Sequence, residues 1–95
     1  MGRAGNGRIP VEELIEFPTR FAFKAIGVHT LVFAQAALDA VHEALGEERS
    51  VALRTRLSRK GTYMSVTLTT EVRDAEELKA AYAALRRVSG VITVL

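Results

Sequence analysis

A chain of 95 residues, 48% hydrophobic and 25% charged, is long enough for one small domain and too balanced for wholesale disorder. It has no cysteine, which excludes disulfides and thiolate-bound metal, so a hydrophobic core must hold it together, as expected of a protein in the reducing cytoplasm. Basic residues exceed acidic ones by only +2, with Arg3 and Arg8 in an unpatterned stretch, which weighs against the strongly basic face of a nucleic-acid binder; no apolar run approaches the ~20 residues of a membrane span.

Residues 1–10 are rich in glycine, offer little to pack and read as a flexible tail; a single domain is expected over 11–95. Residues 9–17 suit a short helical turn, with Val11, Leu14 and Ile15 apolar and Pro18 stopping it. Residues 20–27 read as a first strand, because Phe21, Phe23 and Ala25 alternate with Ala22 and Lys24. Gly27 ends it, and Thr30 is the expected N-cap of a helix over 31–45. The stripe of that helix is Leu31, Ala34, Leu38, Val41 and Leu45, widened by Phe33 and Ala37, and Gly46 follows as its C-terminal cap.

Residues 50–58 form the second expected strand, with Val51, Leu53, Thr55 and Leu57 on one face and Ala52, Arg54 and Arg56 on the other. A turn at Arg59, Lys60 and Gly61 leads to a third strand over 62–72. Its core face is Met64, Val66, Leu68 and Val72; Tyr63, Ser65, Thr67, Thr69 and Glu71 point away. Asp74, with Glu77 three residues on, has the spacing of a capping pair and opens the second helix, whose stripe is Leu78, Ala81, Tyr82, Leu85 and Val88. Arg86 and Arg87 suit its last turn, Gly90 ends it, and residues 91–95 make the last strand.

The chain order is strand–helix–strand twice. Two helices with one apolar stripe each and four strands with one apolar face each are best buried as an α+β ferredoxin-like βαββαβ sandwich. This is a four-stranded antiparallel sheet with both helices on one face, and the right-handed crossover rule puts the first and third strands in the middle.

Two stretches carry a family resemblance. Glu13-Leu14-Ile15-Glu16-Phe17-Pro18-Thr19, running into Phe21-Ala22-Phe23-Lys24 and Gly27, is similar to the N-terminal signature of the YbeD-like family of uncharacterised bacterial proteins. Ser58-Arg59-Lys60-Gly61-Thr62-Tyr63-Met64-Ser65-Val66 resembles that family's hairpin signature. The resemblance covers about residue 12 to the end and implies a ferredoxin-like fold similar to the ACT domains that sense amino acids. It implies no established activity; a regulatory role follows from it only by analogy of fold.

The candidate chemistry is sparse. His29, in the first loop, and His42, on the first helix, have no base, nucleophile or ligand set near them in sequence, so neither a catalytic pair nor a metal site is expected, and no cofactor is implied. The loop through Gly27 and His29 could receive a small anionic ligand at a helix N-terminus, or could simply be a tight turn that needs its glycine. No acidic residue lies between Lys24 and Thr30 to meet the amine of an amino acid.

Arg49, Arg54, Arg56, Arg59 and Lys60 form the one basic cluster, read either as a contact for an acidic partner or as charges guarding a sheet edge. Tyr63 is the only aromatic on the outward positions of the third strand, too few for base stacking of the RRM kind. The reading is a non-catalytic regulatory or protein-binding module that meets another protein or a second copy of itself, with no membrane contact. The contact residues are Lys24, Arg54, Arg56, Lys60 and Tyr63, with Gly27 and His29 at the loop. The alternatives are a small-molecule sensor using that loop and a weak nucleic-acid binder using the hairpin.

Overall fold

The computed structural model describes residues 15–95. The tail expected over 1–10, and most of the helical turn expected over 9–17, fall outside the described residues. The elements are β1 (Thr19–Val28), α1 (Phe33–Leu45), β2 (Ala52–Leu57), β3 (Tyr63–Val72), α2 (Ala75–Arg86) and β4 (Val91–Val94). The four strands form one antiparallel sheet in the order β2-β3-β1-β4, so β1 and β3 are central as the crossover rule requires.

Register decides what each strand offers to either side. Phe23 faces Leu68 and Ala25 faces Val66 across β1–β3, and all four are buried beneath the helices. The core continues through Phe33, Ala37, Val41 and Leu45 of α1 and Leu78, Ala81 and Leu85 of α2. Tyr82 closes one end of it, packing edge-on against Phe23 with centroids 5.1 Å apart and donating its hydroxyl to the Leu95 carbonyl at 3.2 Å.

The first helix starts later than expected. Its N-cap is Val32, which makes no side-chain capping bond, and Thr30 lies outside it. Val28 N–H donates to the Gly90 carbonyl and His29 N–H to the Thr62 carbonyl, both at 3.0 Å, so strand-like pairing carries the chain to residue 29. The helix therefore buries the row Phe33, Ala37, Val41 and Leu45, while Leu31 is fully exposed.

The second helix keeps its expected start. Asp74 is extended and accepts from the Glu77 N–H at 2.9 Å. The return bond is displaced by one residue: Glu77 Oε1 accepts from the N–H of Arg73, not of Asp74.

Gly46 and Gly61 have φ of +113° and +77°, which a side chain would resist, and they close α1 and the β2–β3 turn. Gly27 is needed for space instead. A Cβ there would overlap the Phe33 ring and stand 2.8 Å from the Gly90 carbonyl oxygen.

β2 is an outer strand and is exposed along its whole length. Leu53, Thr55 and Leu57 are opposite Leu68, Val66 and Met64, on the side the helices occupy, as the alternation predicts. The helices do not reach over them, and Leu53 and Leu57 remain 42% and 48% exposed.

Candidate functional site

With both helices on one side, no described residue covers the other side of the sheet, and the strand register lays its side chains out as a grid. Arg54, Thr67 and Lys24 stand opposite one another in a row across β2, β3 and β1. Arg56, Ser65, Ile26 and Thr93 form the next row, and Tyr63 faces Val28 in the row beyond. Neighbouring strands lie ~4.8 Å apart, so Arg54 and Lys24 bracket Thr67 with about 10 Å between their backbones.

Between these rows lies a shallow hollow of ≈ 300 Å³ lined by Lys24, Ile26, Arg56, Tyr63 and Ser65 among others. Its lining combines the hydroxyl-bearing Ser58 and Ser65 and the apolar Ile26 with two cationic residues, Lys24 and Arg56. Lys24, Arg54 and Arg56 have no carboxylate of a described residue within ion-pairing distance. Their charge is thus left uncancelled locally, which favours an acidic or hydrogen-bonding surface.

The structure brings Lys24, Arg56 and Tyr63 together and puts Arg54 in the adjoining row. It does not bring the others there. Lys60 sits exposed in the turn beyond the hollow. Gly27 lies buried on the helix side, and the room its missing side chain leaves is filled by Phe33 and the Gly90 carbonyl.

His29 lies at the end of β1, where its Nδ1 is 2.9 Å from the Gly61 carbonyl. A carbonyl only accepts, so Nδ1 carries the proton, and the ring ties the loop to the β2–β3 turn. The first loop is thereby laced to the hairpin and to the residue before β4.

Arg49 does not belong to the basic cluster. It is buried, with Nη1 and Nη2 donating to the two oxygens of Glu77 at 3.0 and 2.9 Å, and Nη1 also to the Glu71 carbonyl at 2.9 Å. Its Nε is buried without a partner among the described residues. The Arg49 hydrogen bonds hold Glu77 at about 2, well below the usual carboxylate range, although burial opposes this. His42 Nε2 donates to the Arg49 carbonyl at 2.9 Å, so that histidine also braces this loop.

Ile26 and Ser65 line the hollow but were not singled out by the sequence. The signal for Ile26 was available: it continues the period-two row Ala22, Lys24. No group of three or more His, Asp or Glu side chains that could hold a metal occurs among the described residues. Phe21 and Phe23 point toward the helices, which leaves Tyr63 the one exposed aromatic on this face among the described residues.

The family described as Protein of unknown function (DUF493) matches residues 12–95. A UPF0250 protein of Shewanella halifaxensis is 36% identical over 84 residues, covering 88% of this chain and 93% of that protein. One of Neisseria meningitidis is 38% identical over 72 residues, covering 76% and 79%. Among solved structures, a protein from H. pylori superposes with a TM-score of 0.73 at 15% identity, covering 94% of this chain and 97% of that one. The ACT domain from the GTP pyrophosphokinase of Chlorobium tepidum superposes with a TM-score of 0.60 at 18% identity, covering 82% and 96%. These likenesses establish the ferredoxin-like, ACT-like fold.

Proposed function

The chain belongs to the DUF493 family of bacterial proteins of unknown function, the YbeD-like family of its sequence signatures, and from that premise we propose that it is a non-catalytic binding module of the cytoplasm whose open sheet face meets an acidic surface of another protein. One observation carries the reading: Lys24, Arg54 and Arg56 stand on a sheet face that no described residue covers, with no carboxylate of a described residue to neutralise them. Hydroxyls of Ser65 and Thr67 between the cations add hydrogen-bonding capacity, and Ile26 and Tyr63 add apolar area beside them. Charged and hydrogen-bonding groups next to an apolar patch suit contact with a protein surface of complementary charge. The tight lacing of the Gly27–His29 loop supports a scaffold role for that loop.

A photo-crosslinking residue placed at Thr67 in living cells tests this. It should trap protein adducts that disappear when Lys24, Arg54 and Arg56 are replaced by glutamate. The same probe at Glu43, on α1, should trap none. Adducts from Glu43 with none from Thr67 would remove the reading.

A further inference from the structure

We propose that the outer edge of β2 accepts an extended segment of a partner protein as a fifth strand, and that this segment alternates acidic with apolar residues. The inference rests on the reading of the chain as a protein-binding module and specifies the partner's chemistry. β2 lies at the end of the sheet, so one side of its backbone has no neighbouring strand among the described residues, and all six of its residues are exposed. Such a row of free N–H and C=O groups is a template for a strand.

The two faces of β2 decide what that strand must carry. Arg54 and Arg56 project on the open face, where cross-strand neighbours of opposite charge stabilise and like charges destabilise. Leu53 and Leu57 project on the helix side, 42% and 48% exposed, with Thr55 between them. An incoming strand with carboxylates at two positions two residues apart would meet both arginines. Its intervening apolar residues would fall on the other face and extend the core over the two leucines.

Arginines on an edge commonly serve only to keep strands away. That role does not account for the leucines. An edge that is merely guarded has no use for two large apolar side chains left half uncovered on its other face.

A second copy of the chain is a poor occupant. A symmetric antiparallel pairing of β2 with itself about Thr55 sets Arg54 of each copy opposite Arg56 of the other. Centring it on Arg54 sets that arginine against its own copy. Either arrangement puts like charges directly opposite. In these two registers, which pair most of the strand, the edge disfavours itself as it disfavours any basic strand, and it suits an acidic one.

The test uses the full chain and a synthetic ten-residue peptide alternating glutamate with valine. Amide hydrogen exchange and NMR shifts should show new protection in Ala52–Leu57. R54E/R56E should weaken binding roughly tenfold or more, since two favourable cross-strand pairs become repulsive. These residues are exposed, and an unchanged spectrum away from β2 confirms that the variant is folded.

A peptide of the same composition with its glutamates and valines in separate blocks should bind much more weakly, and one with lysine in place of glutamate should not bind. Equal binding of the block peptide would overturn the proposal, because charge alone would then suffice. So would absence of binding by the alternating peptide, or a dimer of the free protein that R54E/R56E disrupts. Shifts centred on Lys24 and Ser65 without protection of β2 would overturn edge docking and leave the open-face reading standing.

Discussion

Arg49 and Glu77 form a two-pronged ion pair, Nη1 to Oε1 at 3.0 Å and Nη2 to Oε2 at 2.9 Å, that fastens the loop after α1 to the first turn of α2. The arginine side chain is only 6% exposed and the glutamate 22%. Removing the glutamate leaves an enclosed guanidinium without its ion-pair partner, with Glu48 and Glu71 acting on it only through space, which is the costly way to break such a pair. E77A should therefore lower stability by about 3 kcal/mol in urea unfolding. R49A should cost less, because the Glu77 carboxylate keeps the Arg73 N–H and is nearer water.

The same pair gives the fold a pH dependence of definite sign. Hydrogen bonds from Arg49 hold Glu77 at about 2 against the opposing effect of burial, and the Arg73 N–H lowers it further. The unfolded chain therefore takes up this proton first as pH falls. The stabilisation is complete above the ordinary carboxylate range and is lost from about pH 5 down toward pH 2. The stability difference between the wild type and E77Q should shrink by about 3 kcal/mol across that window and stay flat above it. A constant difference from pH 7 to pH 2.5 would contradict this assignment.

Gly27 is held to glycine by the Phe33 ring and the Gly90 carbonyl, not by its backbone angles. G27A should destabilise by about 1–3 kcal/mol, the range for a side chain forced into filled space. F33L removes part of the ring that the new methyl would strike. The double variant G27A/F33L should therefore be less destabilised than the sum of the singles, by about 1 kcal/mol in a thermodynamic cycle. Additive losses would mean that the glycine serves a different purpose.

Alternation along β1 and β3 was enough to place Phe23, Ala25, Val66 and Leu68 on one buried face and Tyr63 on the other, and from those faces the two-layer architecture followed. The grid of Arg54, Thr67 and Lys24 was not legible, because it depends on register, and a chain read alone does not say which residues stand opposite. Arg49 misled for a related reason. A charged residue in a Glu-Glu-Arg-Ser loop looks solvated, and its partner lies 28 positions away in another element. The start of α1 was placed two residues too early, because Leu31 continues a row of helical spacing and hydrogen bonds from neighbouring strands, which hold the chain extended to residue 29, are not visible in that spacing.

That later start can be measured. Leu31 is fully exposed and Phe33 is 1% exposed, although both precede or open the same helix. L31S should change stability by no more than about 0.5 kcal/mol, as for an ordinary surface position. F33A should cost about 3–5 kcal/mol, because it empties a ring-sized volume between α1 and β1. Comparable losses at the two positions would restore the earlier helix start and refute the one observed.

Thr70 breaks the apolar row of β3, standing between Leu68 and Val72 with no exposed surface. Its Oγ1 donates to the Ser50 carbonyl at 2.8 Å, so the hydroxyl satisfies a backbone acceptor at the entry to β2. T70V keeps the shape and the β preference but removes the donor, leaving that carbonyl without this bond. The expected cost is about 1–2 kcal/mol, set by the lost bond and the acceptor left behind rather than by packing. T70S keeps the donor and loses a buried methyl group, which costs a similar amount for a different reason. Hydrogen exchange separates the two: T70V should loosen the amides at the start of β2 preferentially, whereas T70S should lower protection through the core without singling out that strand.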